Sequence, residues 1–153
     1  MEKIDEIRNA IAEKIAAVPN IGRVHTFERF SASEKGFRAL YESVGRVLGW
    51  NVRRVAKKVR RENGMWVHIH TWGIKGFSGI DDAAESELVF DRLVEAVGEA
   101  FRSDVNLGGI VESTEDGETS GIQVEDSGPV MFSGVLCHSA RLKLVTRHSS
   151  FAP

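Results

Sequence analysis

The sequence predicts one α+β domain, a four- to five-stranded, mostly antiparallel sheet with a long hairpin and with helices packed on one face. Three observations predict it. Three separated segments space their apolar residues three and four apart, the period of a helix buried along one stripe. One long run alternates about the dipeptide Asn63-Gly64, the period of a strand on either side of a tight turn. The 153 residues, 42% hydrophobic and 27% charged, show no internal repeat and no break in composition, which suits a single core. The domain is expected to span residues 1–148 and to leave 149–153 as a loose tail.

The first helix is written by Ile4, Ile7, Ile11, Ile15 and Val18, and Pro19-Asn20-Ile21-Gly22 ends it. Val24-His25-Thr26-Phe27 is short and β-prone. Ser31 followed by Glu34 is a capping-box pattern, so a second helix is expected with Phe37, Leu40, Tyr41 and Val44 on one face. From residue 47 to residue 74 the alternation predicts the hairpin. With Glu62 opposite Met65, Val59 faces His68, Lys57 faces His70 and Val55 faces Trp72, a register that a bulge would break. Residues 73–79, with Gly73, Gly76 and Gly79, read as a loop. Asp82 followed by Glu85 opens a third helix with acid at its positive end, and Phe90, Leu93, Val94, Val97, Ala100 and Phe101 form its apolar stripe.

Residues 104–121 are rich in Gly, Ser, Thr and acid, offer little to bury, and are expected to form a flexible acidic loop. After it, Ile122 and Val124 suggest a short strand, Ser127-Gly128-Pro129 a turn, and residues 130–145 one or two closing strands.

Several function classes lose support on composition. The amino terminus is charged and lacks an apolar signal region, and no stretch reaches the roughly 18 apolar residues of a membrane span, so a cytosolic origin without membrane partners is expected. Cys137 is the one cysteine, which leaves no intrachain disulfide and no multi-cysteine metal site. His68 and His70 project from the same face of a strand, as a two-histidine metal site would require, but no ligand-rich motif accompanies them and packing or interface roles suit them better. Cys137 and His138 are adjacent in a strand and point to opposite faces, which argues against a dyad. Nucleophile elbows, phosphate loops and dinucleotide fingerprints are absent from the sequence, and the acidic pairs Asp81-Asp82 and Glu115-Asp116 sit where caps and solvated loops want them. Neither catalytic residues nor a cofactor or metal site are expected.

The distribution of charge says more than its net value of −2. Arg46, Arg53, Arg54, Lys57, Lys58, Arg60 and Arg61 fall in one stretch without an acidic residue. Residues 103–140 invert the pattern, carrying Asp104, Glu112, Glu115, Asp116, Glu118, Glu125 and Asp126 and no Lys or Arg. Three readings of the basic hairpin stay open: phosphate contact supported by Trp50, Trp66 and Trp72, a solvated edge that discourages aggregation, or contact with the acidic segment of a second copy. The candidate contact residues are therefore Arg53, Arg54, Lys57, Lys58, Arg60 and Arg61 on the hairpin, and Glu112, Glu115, Asp116, Glu118, Glu125 and Asp126 on the acidic arm.

Five phrases carry a resemblance: residues 18–25 (Val-Pro-Asn-Ile-Gly-Arg-Val-His), 49–53 (Gly-Trp-Asn-Val-Arg), 70–76 (His-Thr-Trp-Gly-Ile-Lys-Gly), 81–87 (Asp-Asp-Ala-Ala-Glu-Ser-Glu) and 135–140 (Val-Leu-Cys-His-Ser-Ala). In their order, and over most of its length, the chain resembles the tail-terminator or minor tail proteins of long-tailed phages. The resemblance implies a sheet with flanking helices and a long hairpin. It also implies a virion protein, assembled in the bacterial host cytoplasm, that forms a ring, typically sixfold. Such a ring caps the tail tube, ends its polymerisation and meets the head-tail connector proteins, with genomic DNA passing through its channel. It implies no cofactor and no enzymatic activity. The acidic segment would then be a docking arm.

Overall fold

The computed structural model describes residues 1–43 and 45–151. The chain is α+β, with three α-helices and a mixed, mostly antiparallel sheet of six strands. In chain order these are α1 (Lys3–Ala16), β1 (Arg23–His25), α2 (Glu34–Tyr41), β2 (Glu42–Ser43), β3 (Arg46–Glu62), β4 (Met65–Gly79), α3 (Ser86–Arg102), a small β5–β6 ribbon (Glu115–Asp116 and Thr119–Ser120), β7 (Gln123–Phe132) and β8 (Val135–Phe151). The sheet runs β1-β3-β4-β8-β7, with β2 also pairing with β3 and with the parallel β1–β3 contact as its one mixed element.

Two hairpins build the sheet, and both turn through a pair of positive-φ residues, Asn63-Gly64 and Ser133-Gly134. That geometry matches the twist of the strands it joins. The second turn lies four residues beyond the expected Ser127-Gly128-Pro129, which instead forms the middle of β7 opposite Ala140, Ser139 and His138. Proline is tolerated there because β7 is an edge strand. In the first hairpin Glu62 faces Met65, Val59 faces His68 and Lys57 faces His70, as expected. A bulge at Val55 then shifts the register, so that Arg54 and not Val55 faces Trp72.

The glycine-spaced segment 73–79 is strand, not loop. A β-carbon on Gly76 would lie 2.3 Å from the Trp50 ring, so this glycine lets the indole lie flat across β4. Trp50 in turn stacks on Phe90 of α3 at 5.7 Å and donates from Nε1 to the Ile21 carbonyl at 2.7 Å. The main core thus joins Ile7, Ile11 and Ile15 of α1, Phe90, Val94, Val97 and Phe101 of α3, and the inward residues of β3, β4 and β8.

α1 and α3 lie together on one face of the sheet, as expected. The short α2 packs at one end of the opposite face, where Phe37 and Tyr41 meet Phe77, Val135 and Cys137. Its cap is Ser33, which accepts from the Gly36 amide at 3.1 Å, two residues later than the Ser31 pattern suggests; Ser31 Oγ accepts from the Ser33 amide instead. Val44, expected on the face of this helix, lies outside the described residues. α3 begins at Ser86 after a 3-10 turn at Asp82–Ala84, which Asp81 caps from its side chain.

Two expectations fail at the far end of the molecule. β8 continues to Phe151 and pairs residue for residue with β4, Ser149 opposite Val67 and Phe151 opposite Met65, so residues 149–151 are strand and only 152–153 lie outside the described residues. The acidic segment does have something to bury. Leu107 and Val111 enter the main core, Thr114 is buried, and Ser113 bridges to Arg147 beside β8. Hydrogen bonds from the Glu112 amide to the Arg147 carbonyl (2.8 Å) and from the Arg147 amide to the Ser113 carbonyl (3.0 Å) hold it there.

Candidate functional site

Strand alternation decides where the basic residues point. Arg53, Lys58 and Arg60 share one face of β3, and Arg54, Lys57 and Arg61 share the other, so the six do not form one patch. Every residue from 53 to 61 is exposed, because this half of β3 extends past the helices. β1 and β2 cover β3 only as far as Asn51. Beyond it the outer edge of β3 has no partner strand among the described residues.

Part of the basic charge is compensated within the chain. Arg53 and Lys75 meet Glu28 at 3.8 and 2.6 Å, Arg60 meets Glu62 at 3.0 Å, and the Arg61 guanidinium sits 5.5 Å from the centre of the Trp66 ring. Arg54, Lys57, Lys58 and Arg61 have no acidic partner within ion-pair distance among the described residues.

The acidic arm pairs with β8 rather than with the basic hairpin. Glu112 lies 3.8 Å from Arg147, Asp116 3.4 Å from Lys143 and Asp126 3.5 Å from Arg141, all at the surface, where such pairs contribute little. Asp104 is held more firmly. It accepts from the Gly108 amide and meets Lys14 at 2.9 Å, and these contacts pull its carboxyl below the ordinary range. Glu115, Glu118 and Glu125 have no cationic partner within that distance among the described residues.

Cross-strand register places the two charge blocks relative to each other. Lys58 faces Ile69, Ile69 faces Arg147, and Arg147 bridges to Ser113. The basic edge and the acidic arm therefore stand at the same level on opposite edges of the sheet, separated by β4 and β8. Among the described residues no ion pair joins them within one chain, although Arg53 and Glu125 line one pocket.

A second cluster was only half visible in the sequence. His68 and His70 do share a face, and β8 brings His148 beside them, its ring parallel to both at centroid distances of 4.7 and 5.4 Å. His70 and His148 are 2% and 8% exposed, and the Nδ1 atom of each of the three rings is buried without a hydrogen-bond partner. Burial, together with the neighbouring histidine, pushes His70 and His148 down to about 4. Among the described residues no group of three or more His, Cys, Asp or Glu side chains is arranged to hold a metal ion. His148 was missed because residues 146–151 look like a polar tail, although Leu142, Leu144, Thr146 and His148 keep the two-residue period.

His138 and Cys137 point to opposite faces, as adjacency in a strand requires. His138 shares a hydrogen bond with Ser86 Oγ at 2.8 Å, and Ser86 Oγ also accepts from the Asp81 amide, tying the start of α3 to β8. Ser86 is 2% exposed, which closes it to any substrate. Cys137 is fully buried, and burial pushes its thiol up to about 11, so it stays protonated and packs as a small hydrophobe.

No helix among the described residues is long and apolar enough to cross a membrane. The sequence matches no protein-family model and no curated protein.

Proposed function

We propose that this chain is a ring-forming structural subunit of a phage tail, of the terminator type, which caps the tail tube, ends its polymerisation and helps join tail to head. The observation that carries the reading is the pair of oppositely charged sheet edges at one level. A contact between the basic edge of one copy and the acidic arm of the next uses two different surfaces, and such a head-to-tail contact closes into a ring when the rotation between copies allows it. A ring of this kind, six-membered by the resemblance, would meet the tail tube protein on one side and the connector proteins on the other, and genomic DNA would pass through its channel.

Electron microscopy of particles made without the protein tests this role. Overlong tails are the expected result. Tails of normal length that carry no heads would replace the terminator role with that of another neck or tail-completion protein. A separate reading, a nucleic-acid-binding module, draws on Arg54, Lys57, Lys58 and Arg61, which lack acidic partners. It requires duplex DNA binding that weakens steeply with salt and disappears when Arg53, Arg54, Lys57 and Lys58 are replaced by Ala.

A further inference from the structure

α1 stops short of the hairpin tip and leaves a cavity of about 550 Å³ between its first turn and the sheet. Its lining combines basic, imidazole and hydroxyl groups from four elements. Lys3 and Ile4 enter from α1, Arg54 and Lys57 from β3, His68 and His70 from β4, and His148 with Ser149 and Ser150 from β8. Glu2 supplies the one carboxylate of the lining, and as the N-cap of α1 it makes no side-chain capping bond. The first-turn amides of this 14-residue helix therefore lack a side-chain cap at its positive end. Arg54 and Lys57 have no acidic partner among the described residues. The floor is the histidine stack, in which His70 and His148 are more than nine-tenths buried with Nδ1 unpartnered. The three Nδ1 atoms are closed off from the cavity, so an occupant meets the rings by their other edges.

A metal cation does not fit. Three fixed cations surround the rings, and parallel stacked imidazoles cannot aim three nitrogens at one ion. A compact oxyanion fits the helix start, the guanidinium, the two ammonium groups and the two serine hydroxyls. It would compete with Glu6, 3.6 Å from Lys3, and with His68, bonded to Ser150 Oγ, while Glu2 alone in the lining opposes it.

We infer that this cavity is a binding site for a phosphate group, held by Arg54, Lys57, Lys3 and the first turn of α1 over the histidine stack. Binding would be linked to proton uptake. Burial and the surrounding charges of His68, Lys57, Lys3 and Arg54 hold His70 and His148 neutral, Glu112 opposes them at His148, and Glu2 is the carboxylate of the cavity itself. A bound dianion supplies the missing counter-charge, so one ring gains a proton as the anion enters. Affinity should therefore rise as pH falls. The phosphate can be free or part of a nucleic-acid backbone; the same cations would hold either, and the singly charged phosphodiester would draw in a proton less strongly than the free dianion.

Histidine ring and backbone NMR signals of the full chain, followed during titration with sodium phosphate against sodium chloride of equal ionic strength, test the inference. Saturable shifts at His70, His148 and the amides of Lys3 and Ile4 are expected, with affinity for the phosphate dianion, after allowing for the phosphate's own protonation, several-fold higher near pH 6 than near pH 7.5. Replacing both Arg54 and Lys57 by Ala, exposed positions whose loss leaves the fold intact, should weaken binding about tenfold or more. H148Q should bind with a flatter pH dependence. A parallel titration with a short duplex DNA identifies the source, since shifts at the same signals assign a phosphodiester and their absence assigns a free phosphate. Phosphate shifts that match those of chloride, or that survive loss of Arg54 and Lys57 unchanged, would overturn the site.

Discussion

At the scale of single residues, two kinds of side chain matter most, those that close the core and those that are buried at a cost. Gly76 and Gly49 face large rings at distances a β-carbon cannot share, 2.3 Å to Trp50 and 2.5 Å to Tyr41. Gly76→Ala should cost roughly 2 to 4 kcal/mol in urea unfolding, because Trp50 can move only by losing Phe90 and Ile21. Gly128→Ala, with open space around it, is the matched control and should change stability by less than about 1 kcal/mol. The histidine stack sets the response to acid. His70 and His148 are held near 4, below their ordinary 6.5, so the unfolded chain binds protons that the folded chain refuses. Their cost is absent above pH 6.5 and grows as pH falls toward 4, reaching on the order of 3 kcal/mol for each ring. Urea midpoints at neutral and mildly acidic pH should show this loss, and H148Q should reduce it. A midpoint independent of pH across that window would contradict the buried, neutral assignment.

At the scale of elements, the helices and the first hairpin were legible because each carries its period without interruption. Ile7, Ile11 and Ile15 mark α1, Phe90, Val94 and Phe101 mark α3, and Asn63-Gly64 marks a turn whose two residues both adopt positive φ. The rest was hidden by residues whose local meaning is overridden by contacts distant in sequence. Gly73 and Gly76 look like loop punctuation until Trp50 and Val55 are placed above them. Ser127-Gly128-Pro129 looks like a turn but runs along an edge strand, while the real turn uses Ser133-Gly134, which is less conspicuous. The acidic arm looked solvated because two buried residues, Leu107 and Val111, are scattered among many polar ones. Their burial predicts that Val111→Ala costs about 1 to 2 kcal/mol and that the amides of Glu112 and Arg147 exchange slowly with solvent. Rapid exchange at both, or cleavage by protease at residues 110–114 in the native state, would show that the arm is not docked.

At the scale of the whole molecule, the charge blocks seen in the sequence acquire a geometry. Composition showed a basic stretch and an acidic one but not whether they cancel. Register separates Lys58 from the start of the arm, since Lys58 and Ser113 stand at the two ends of one cross-strand row. The phosphate cavity was less legible, for it needs α1, β3, β4 and β8 together, and only His68 and His70 advertise it locally. A chain with one open basic edge and one acidic edge is suited to repeat, and its exposed charges can be altered without disturbing the core. Sedimentation of the purified chain and of charge-reversed variants tests the central claim most directly. The wild-type chain should form a closed oligomer that K57E/K58E reduces to monomer. E115K/E118K should do the same, and mixing the two reversed variants, or combining all four changes, should restore assembly through the inverted pair. A wild-type chain that stays monomeric at high concentration and low salt, or reversed edges that never recover assembly together, would contradict the account.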